Sequence, residues 1–80
     1  MAVIEITNTE YTQINTSADA YLAQNLSPTN VNIIASVAQP AIDAEVEFVL
    51  KHYDVIGNSD TASILWGMTN LPSGAKVGVK

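Results

Sequence analysis

The sequence predicts an all-β domain, a small β-sandwich or barrel of about seven or eight short antiparallel strands. Three observations predict it. Short β-type runs recur along the whole chain, several with period-two alternation of apolar and polar residues. Turn residues separate them at roughly the 8–12-residue spacing of sandwiches and barrels. The chain has only 80 residues, room for one domain, taken as residues 1–80.

The runs follow in order. In residues 2–7, Ile4 and Ile6 share one face and Val3 and Glu5 the other. Residues 11–15 form a second run and 20–24 a third, before the turn-rich 25–30. Residues 31–36 are β-branched, with Val31, Ile33 and Ala35 on one face. Residues 40–50 have a helical rival, because Pro40 suits a first helical turn. Helical spacing isolates no apolar face there, whereas period two sets Val46, Phe48 and Leu50 against Glu45 and Glu47. Strand is therefore expected for 45–50, with at most one helical turn at 41–44. Residues 51–56 extend that strand or begin another. Gly57-Asn58-Ser59-Asp60 is a turn. Residues 63–68 place Ile64, Trp66 and Met68 together, which predicts a core-packed Trp66. After the turn at 70–74, Val77 and Val79 alternate with Lys76, Gly78 and Lys80 in a last strand.

Composition narrows the function classes. There is no cysteine, so disulfides and thiolate chemistry are excluded. Histidine occurs once, at His52, so a multi-histidine zinc site is excluded too. A core this small gains margin most readily from partner subunits. Charged residues make up only 14% of the chain, against about 25% in ordinary domains. Its polar surface is Asn, Gln, Ser and Thr instead, and interface cores are depleted in charge. The net charge is −5, with Lys51, Lys76 and Lys80 the only cations. No basic patch can neutralise phosphates, so neither nucleic acid nor a membrane is expected as a partner. Residues 1–5 lack the basic region of a signal peptide, so synthesis in the cytoplasm is expected.

No arrangement of residues calls for catalysis, and the chain is expected not to be an enzyme. A Ser–His–Asp system would have to use His52 and Asp54, and no Gly-x-Ser-x-Gly elbow supplies a serine. Glu45 and Glu47 lie about 7 Å apart along a strand face, a spacing that also describes a solvated outer face. Asp43, Glu45, Glu47 and Asp54 offer oxygen ligands without the EF-hand pattern. No catalytic residue, metal site or cofactor is assigned. Asn15-Thr16-Ser17 and Asn25-Leu26-Ser27 match the glycosylation pattern by chance.

Candidate contact residues remain. Val49, Ile56 and Leu65 fall off the predicted core faces, and tyrosine is enriched in interfaces, which adds Tyr21 and Tyr53. Docking through these side chains is the first expectation. A β-module binding carbohydrate or peptide through Tyr21, Tyr53 or Trp66 is the alternative.

The order of motifs carries a resemblance. Val3-Ile4-Glu5-Ile6-Thr7-Asn8-Thr9-Glu10-Tyr11 is followed by Ala20-Tyr21-Leu22-Ala23-Gln24-Asn25-Leu26-Ser27 and a β-branched strand. Ile64-Leu65-Trp66-Gly67-Met68 and then Ser73-Gly74-Ala75-Lys76-Val77-Gly78-Val79 complete it. From about residue 2 to 79 the chain resembles the small all-β virion proteins of tailed bacteriophages. Those decorate capsids or build head and tail accessories. The resemblance implies a structural protein of the virion, made in the host cytoplasm. It would act as a homo-oligomer, a trimer being favoured, docked on a capsid or tail protein. It carries over no functional residue.

Overall fold

The computed structural model describes residues 2–15, 22–57 and 64–79. Their eight strands are β1 (Ala2–Ile6), β2 (Thr12–Gln13), β3 (Leu22–Asn25), β4 (Val31–Ala35), β5 (Phe48–Leu50), β6 (Val55–Gly57), β7 (Leu65–Met68) and β8 (Ala75–Val79). They form two four-stranded antiparallel sheets, ordered β1-β8-β3-β6 and β2-β7-β4-β5. The pairs β1/β8, β2/β7, β3/β6 and β4/β5 are nested, as in one long hairpin wound around a common core. This is the strand order of a jelly roll, a double-sheet sandwich. The barrel is not closed, because each sheet ends in an edge strand.

Alternation decides what fills the space between the sheets. From the first sheet come Ile6, Ala23, Ile56, Ala75 and Val77; from the second, Val31, Ile33, Leu50 and Leu65, joined by Ile14. Ile4, Ala35 and Val79 pack against this cluster. Gly67 also sits on an inner face. A Cβ there would lie 3.1 Å from Ile14 Cδ1 and 3.3 Å from both Ile6 Cδ1 and Val31 Cγ1. The missing side chain is thus what lets three branched chains meet across the sandwich.

The outer face of the second sheet carries a smaller buried group. Ile34 pairs with Trp66, which pairs with Gln13. Tyr11 and Ile34 are buried but stand outside the main cluster. The long connection 36–47 is bonded over this region. Trp66 Nε1 donates to Ser36 O at 2.9 Å, and Gln39 Nε2 donates to Tyr11 O at 2.8 Å.

Two buried polar side chains gather the four connections at one end. Asn25, at the end of β3, is fully buried. Its Nδ2 donates to Thr29 O at 2.7 Å and to Leu50 O at 2.9 Å, and its Oδ1 accepts from Ser27 N–H at 3.0 Å. Thr69 N–H donates to Thr7 O at 3.1 Å, and Thr69 Oγ1 donates to Asn30 O at 3.1 Å. Gly74 closes the β7–β8 turn at φ 83°, where a Cβ would stand 2.7 Å from Ile6 O.

Two expectations need correction. The strand expected over 45–50 is only Phe48–Leu50. Glu47 spends its carboxylate on the ladder instead, Oε1 accepting from Ala35 N–H at 2.7 Å. Residues 41–44 make a single turn, within what the sequence allowed, with Ala44 N–H donating to Ala41 O at 3.0 Å. Trp66 is half-buried on an outer face, while Leu65 is the core residue. The run Ile64–Met68 is apolar on both faces, so period two could not choose between them.

Replacing Asn25 with alanine would strand two buried carbonyls and one N–H. We expect Asn25→Ala to cost about 3 kcal/mol in urea unfolding; a loss under about 1 kcal/mol would contradict the role given to the carboxamide. Gly74→Ala meets both an unfavourable φ and a backbone oxygen, and a loss of about 2 kcal/mol is expected in the same assay.

Candidate functional site

Of the catalytic and cation candidates, His52 and Asp54 lie in the β5–β6 turn, Asp43, Glu45 and Glu47 in the connection before β5, and the carboxylates of Asp54 and Glu47 bond backbone N–H groups. Asp54 Oδ2 accepts from Lys51 N–H at 2.9 Å, and Asp54 N–H donates to Lys51 O at 3.0 Å, which closes the turn between β5 and β6. Tyr53 takes the left-handed conformation in that turn, with φ 67°. Bonds to Asn25 hold it there: Tyr53 N–H donates to Asn25 O at 2.8 Å, and Asn25 N–H to Asp54 O at 3.0 Å. His52 stacks on the Tyr53 ring, with centroids 3.8 Å apart. Glu47 is the acceptor for Ala35 described above. Among the described residues, no three of His, Asp and Glu stand together as a metal site.

The contact candidates divide. Val49 and Tyr53 are 47% and 61% exposed. Ile56 and Leu65 point inward instead, at 8% and 0%. Ile56 pairs with Ala23 on the inner face of the first sheet, and Leu65 with Ala35 on that of the second. Neither side chain is available to a partner. For Leu65 the run 64–68 is apolar on both faces, so alternation carried no sign. For Ile56 the period was carried through residues 51–54, which form a turn, and β6 starts afresh at Val55. Tyr21 lies outside the described residues.

The structure adds exposed apolar side chains that alternation had assigned to the core. Phe48 is 43% exposed although it sits on the inner face of β5. β5 and β6 are the edge strands of the two sheets on the same side, and among the described residues no strand closes the sandwich beyond them. The result is an open groove lined by Glu47, Phe48, Val49, Leu50, Val55 and Ile56. Leu22 and Val55 extend the apolar surface onto the outer face of the first sheet. The available sequence signal was the unbroken apolar trio Phe48-Val49-Leu50, which has no polar face to show to water.

A second cleft, of about 230 Å³, opens near the looped end, between Glu5 to Thr7, Ser27 and Pro72 to Lys76. Its polar groups answer one another. Ser27 Oγ accepts from Lys76 N–H at 2.7 Å, and Lys76 Nζ lies 4.0 Å from Glu5 Oε1. Both members of that ion pair are largely exposed, so it contributes little. The two glycosylation-pattern asparagines are also structural. Asn15 is buried and its Oδ1 accepts from Leu65 N–H at 3.0 Å, while Asn25 is held as described.

The surroundings of Tyr11 move its titration. Its hydroxyl is buried and has no hydrogen-bond partner among the described residues. Burial pushes the phenol above its ordinary 10.0. The folded state therefore holds the proton more tightly than the unfolded state, and stability falls as pH rises past 10. Tyr11→Phe should gain about 1 kcal/mol at neutral pH by removing an unpaired buried hydroxyl. It should also flatten the alkaline fall, as read by urea unfolding on both sides of pH 10. A variant that loses stability at neutral pH would mean that the hydroxyl has a partner.

Set against known proteins, the chain matches no family model, no curated protein and no solved structure.

Proposed function

We propose that this chain is a non-enzymatic structural protein that works by docking, as a capsid-decorating or head–tail accessory component of a tailed-phage virion. The observation that carries the reading is the open apolar side of the sandwich. Phe48, Val49 and Val55 line or flank a groove between two unpaired strand edges. Apolar surface left on a small domain is a mark of interaction sites. An exposed strand edge is itself a template for pairing with another chain.

Two further features support it. Two of the carboxylates that could do chemistry, Asp54 and Glu47, are bonded to backbone N–H groups at the end of β5 and in neighbouring β4. The jelly-roll order is one that viral capsid domains use, an analogy of fold that raises the reading without assigning it. Self-assembly accounts for both the low charge of the chain and its small core.

The test is made on purified particles of the tailed phage whose genome carries the sequence. Quantitative mass spectrometry should find the chain on the particle, in a copy number that matches a capsid or tail symmetry. A chain present in the infected lysate and missing from every particle fraction would overturn the reading.

A further inference from the structure

We propose that the first sheet continues into that of a second copy: two chains join edge to edge through β1, antiparallel, about a two-fold axis at Ile4. The inference rests on the assembly reading above and names the strand that joins the copies.

In an antiparallel ladder, a residue turns both its N–H and its C=O toward one neighbour, and the next residue turns them to the other side. Leu26 N–H donates to Lys76 O at 2.9 Å, and Lys76 N–H donates to Ser27 Oγ at 2.7 Å. Lys76 therefore addresses β3, and so does Gly78, the register partner of Gln24. Ala75, Val77 and Val79 address β1 instead, where they stand opposite Ile6, Ile4 and Ala2. The N–H and C=O groups of Val3 and Glu5 are left pointing away from the sheet. Among the described residues no strand lies beyond β1.

Of the four edge strands, β1 offers the most to a partner. β2 has two residues, and β5 and β6 have three each, against five in β1. Single domains blunt such an edge with a proline, a bulge or a lysine. β1 has none of these and pairs with β8 over five consecutive residues without a break. Its one charge, Glu5, is set beside Lys76 of its own sheet.

The chain's own residues select the register for a copy. Residues opposite each other must both turn toward the contact or both turn away, so the axis passes through Val3, Ile4 or Glu5. An axis at Glu5 sets two carboxylates face to face and puts Val3 opposite Thr7, whose C=O is given to Thr69 N–H. An axis at Val3 carries Glu5 past Ala2, the first residue of the copy's β1. At Ile4 every outward group is used, because Val3 of each copy exchanges two hydrogen bonds with Glu5 of the other. Ile4 then meets itself on the axis, in the closer type of pair. It is only partly buried in one chain, and the copy covers it. Val3, 52% exposed in one chain, packs against the methylenes of Glu5. Such self-complementary two-fold contacts are the commonest among homo-oligomers.

β1 and β6 are opposite edges of the first sheet, so this pairing leaves the β5–β6 groove of both copies free for a capsid or tail protein. The contact covers well under the roughly 800 Å² per partner of a stable complex, so the dimer exchanges with monomer on dilution. A two-fold contact also gives a dimer rather than the trimer that the resemblance favours.

Disulfide trapping reads the register, since the chain has no cysteine of its own. Val3→Cys and Glu5→Cys both change exposed positions. In the mixed pair the two positions stand opposite, with Cα atoms about 5.5 Å apart, inside the disulfide range. In either variant alone they are diagonal, at roughly 7–8 Å, outside it. Under mild oxidation an equimolar mixture should form the mixed disulfide about tenfold faster than either variant forms its own. Sedimentation velocity over a dilution series adds a second measurement. Wild type should rise from one chain to two with concentration and stop there. Val3→Pro removes an outward N–H and spares the ladder to β8; it should stay monomeric with an unchanged melting temperature. The disulfide comparison needs no folded Val3→Pro. A self-disulfide that forms as fast as the mixed one, a folded Val3→Pro that still dimerises, or a wild-type trimer would overturn the β1 contact and leave the assembly reading standing. A wild type that stays monomeric at the highest concentration would overturn both the contact and self-assembly, while docking on a particle is read separately from the copy number on purified virions.

Discussion

The fold turns on the carboxamide of Asn25. A jelly roll sends its chain from one sheet to the other at every connection but the central one, here β4–β5, and each crossing leaves backbone groups without a ladder partner. Asn25 answers two crossings at once. Its side chain holds Ser27 and Thr29 in the β3–β4 connection and Leu50 at the end of β5, while its backbone holds Tyr53 and Asp54 in the β5–β6 connection. It is fully buried, so its own polar groups have no water as a substitute. Thr69, in the β7–β8 connection, likewise holds Thr7 of the β1–β2 connection and Asn30 of the β3–β4 connection. The looped end is thereby a fixed frame, and the edges of β5 and β6 hang from it in a set relation.

That relation leaves one side of the sandwich open. Between the sheets the packing is close, and Gly67 shows how close, since even a methyl group would crowd Ile6, Ile14 and Val31. Among the described residues, the inner faces of β5 and β6 meet no further strand. Phe48 is an inward residue by alternation and a surface residue by position. A larger domain would cover such a seam with a helix or another strand; an 80-residue chain has little left to do it with. The 36–47 connection is spent instead on the outer face of the second sheet, over Tyr11, Ile34 and Trp66. That open apolar side is the feature on which the proposed docking rests.

Much of the fold was legible in the residue order. The alternation Val3-Ile4-Glu5-Ile6 placed Ile4 and Ile6 inward, and Val31, Ile33 and Ala35 likewise shared the core face. Val77 and Val79 faced inward from the last strand as their period indicates. In each case a polar or small residue marked the other face. Where no such mark exists the reading failed: Ile64-Leu65-Trp66-Gly67-Met68 has apolar residues on both sides. For Ile56 the period was carried through the turn at 51–54, after which β6 starts afresh. The outcome there depends on which residue meets a facing sheet. Ile56 and Leu65 went to the core, and Trp66 went to the outer face.

The sequence by itself determined the class of fold, the number of strands to within one, and the scarcity of groups able to do chemistry. These follow from composition and from period two, which are properties of neighbours along the chain. The tertiary structure alone decided the nested pairing of β1 with β8 and β4 with β5, the structural duty of Asn15 and Asn25, and the exposure of Phe48. Each depends on residues far apart in sequence. Asn25 and Leu50 meet across 25 positions, and Asn15 and Leu65 across 50. No local pattern encodes such a meeting, because the hydrogen bond that rewards it exists only once both sheets are in place.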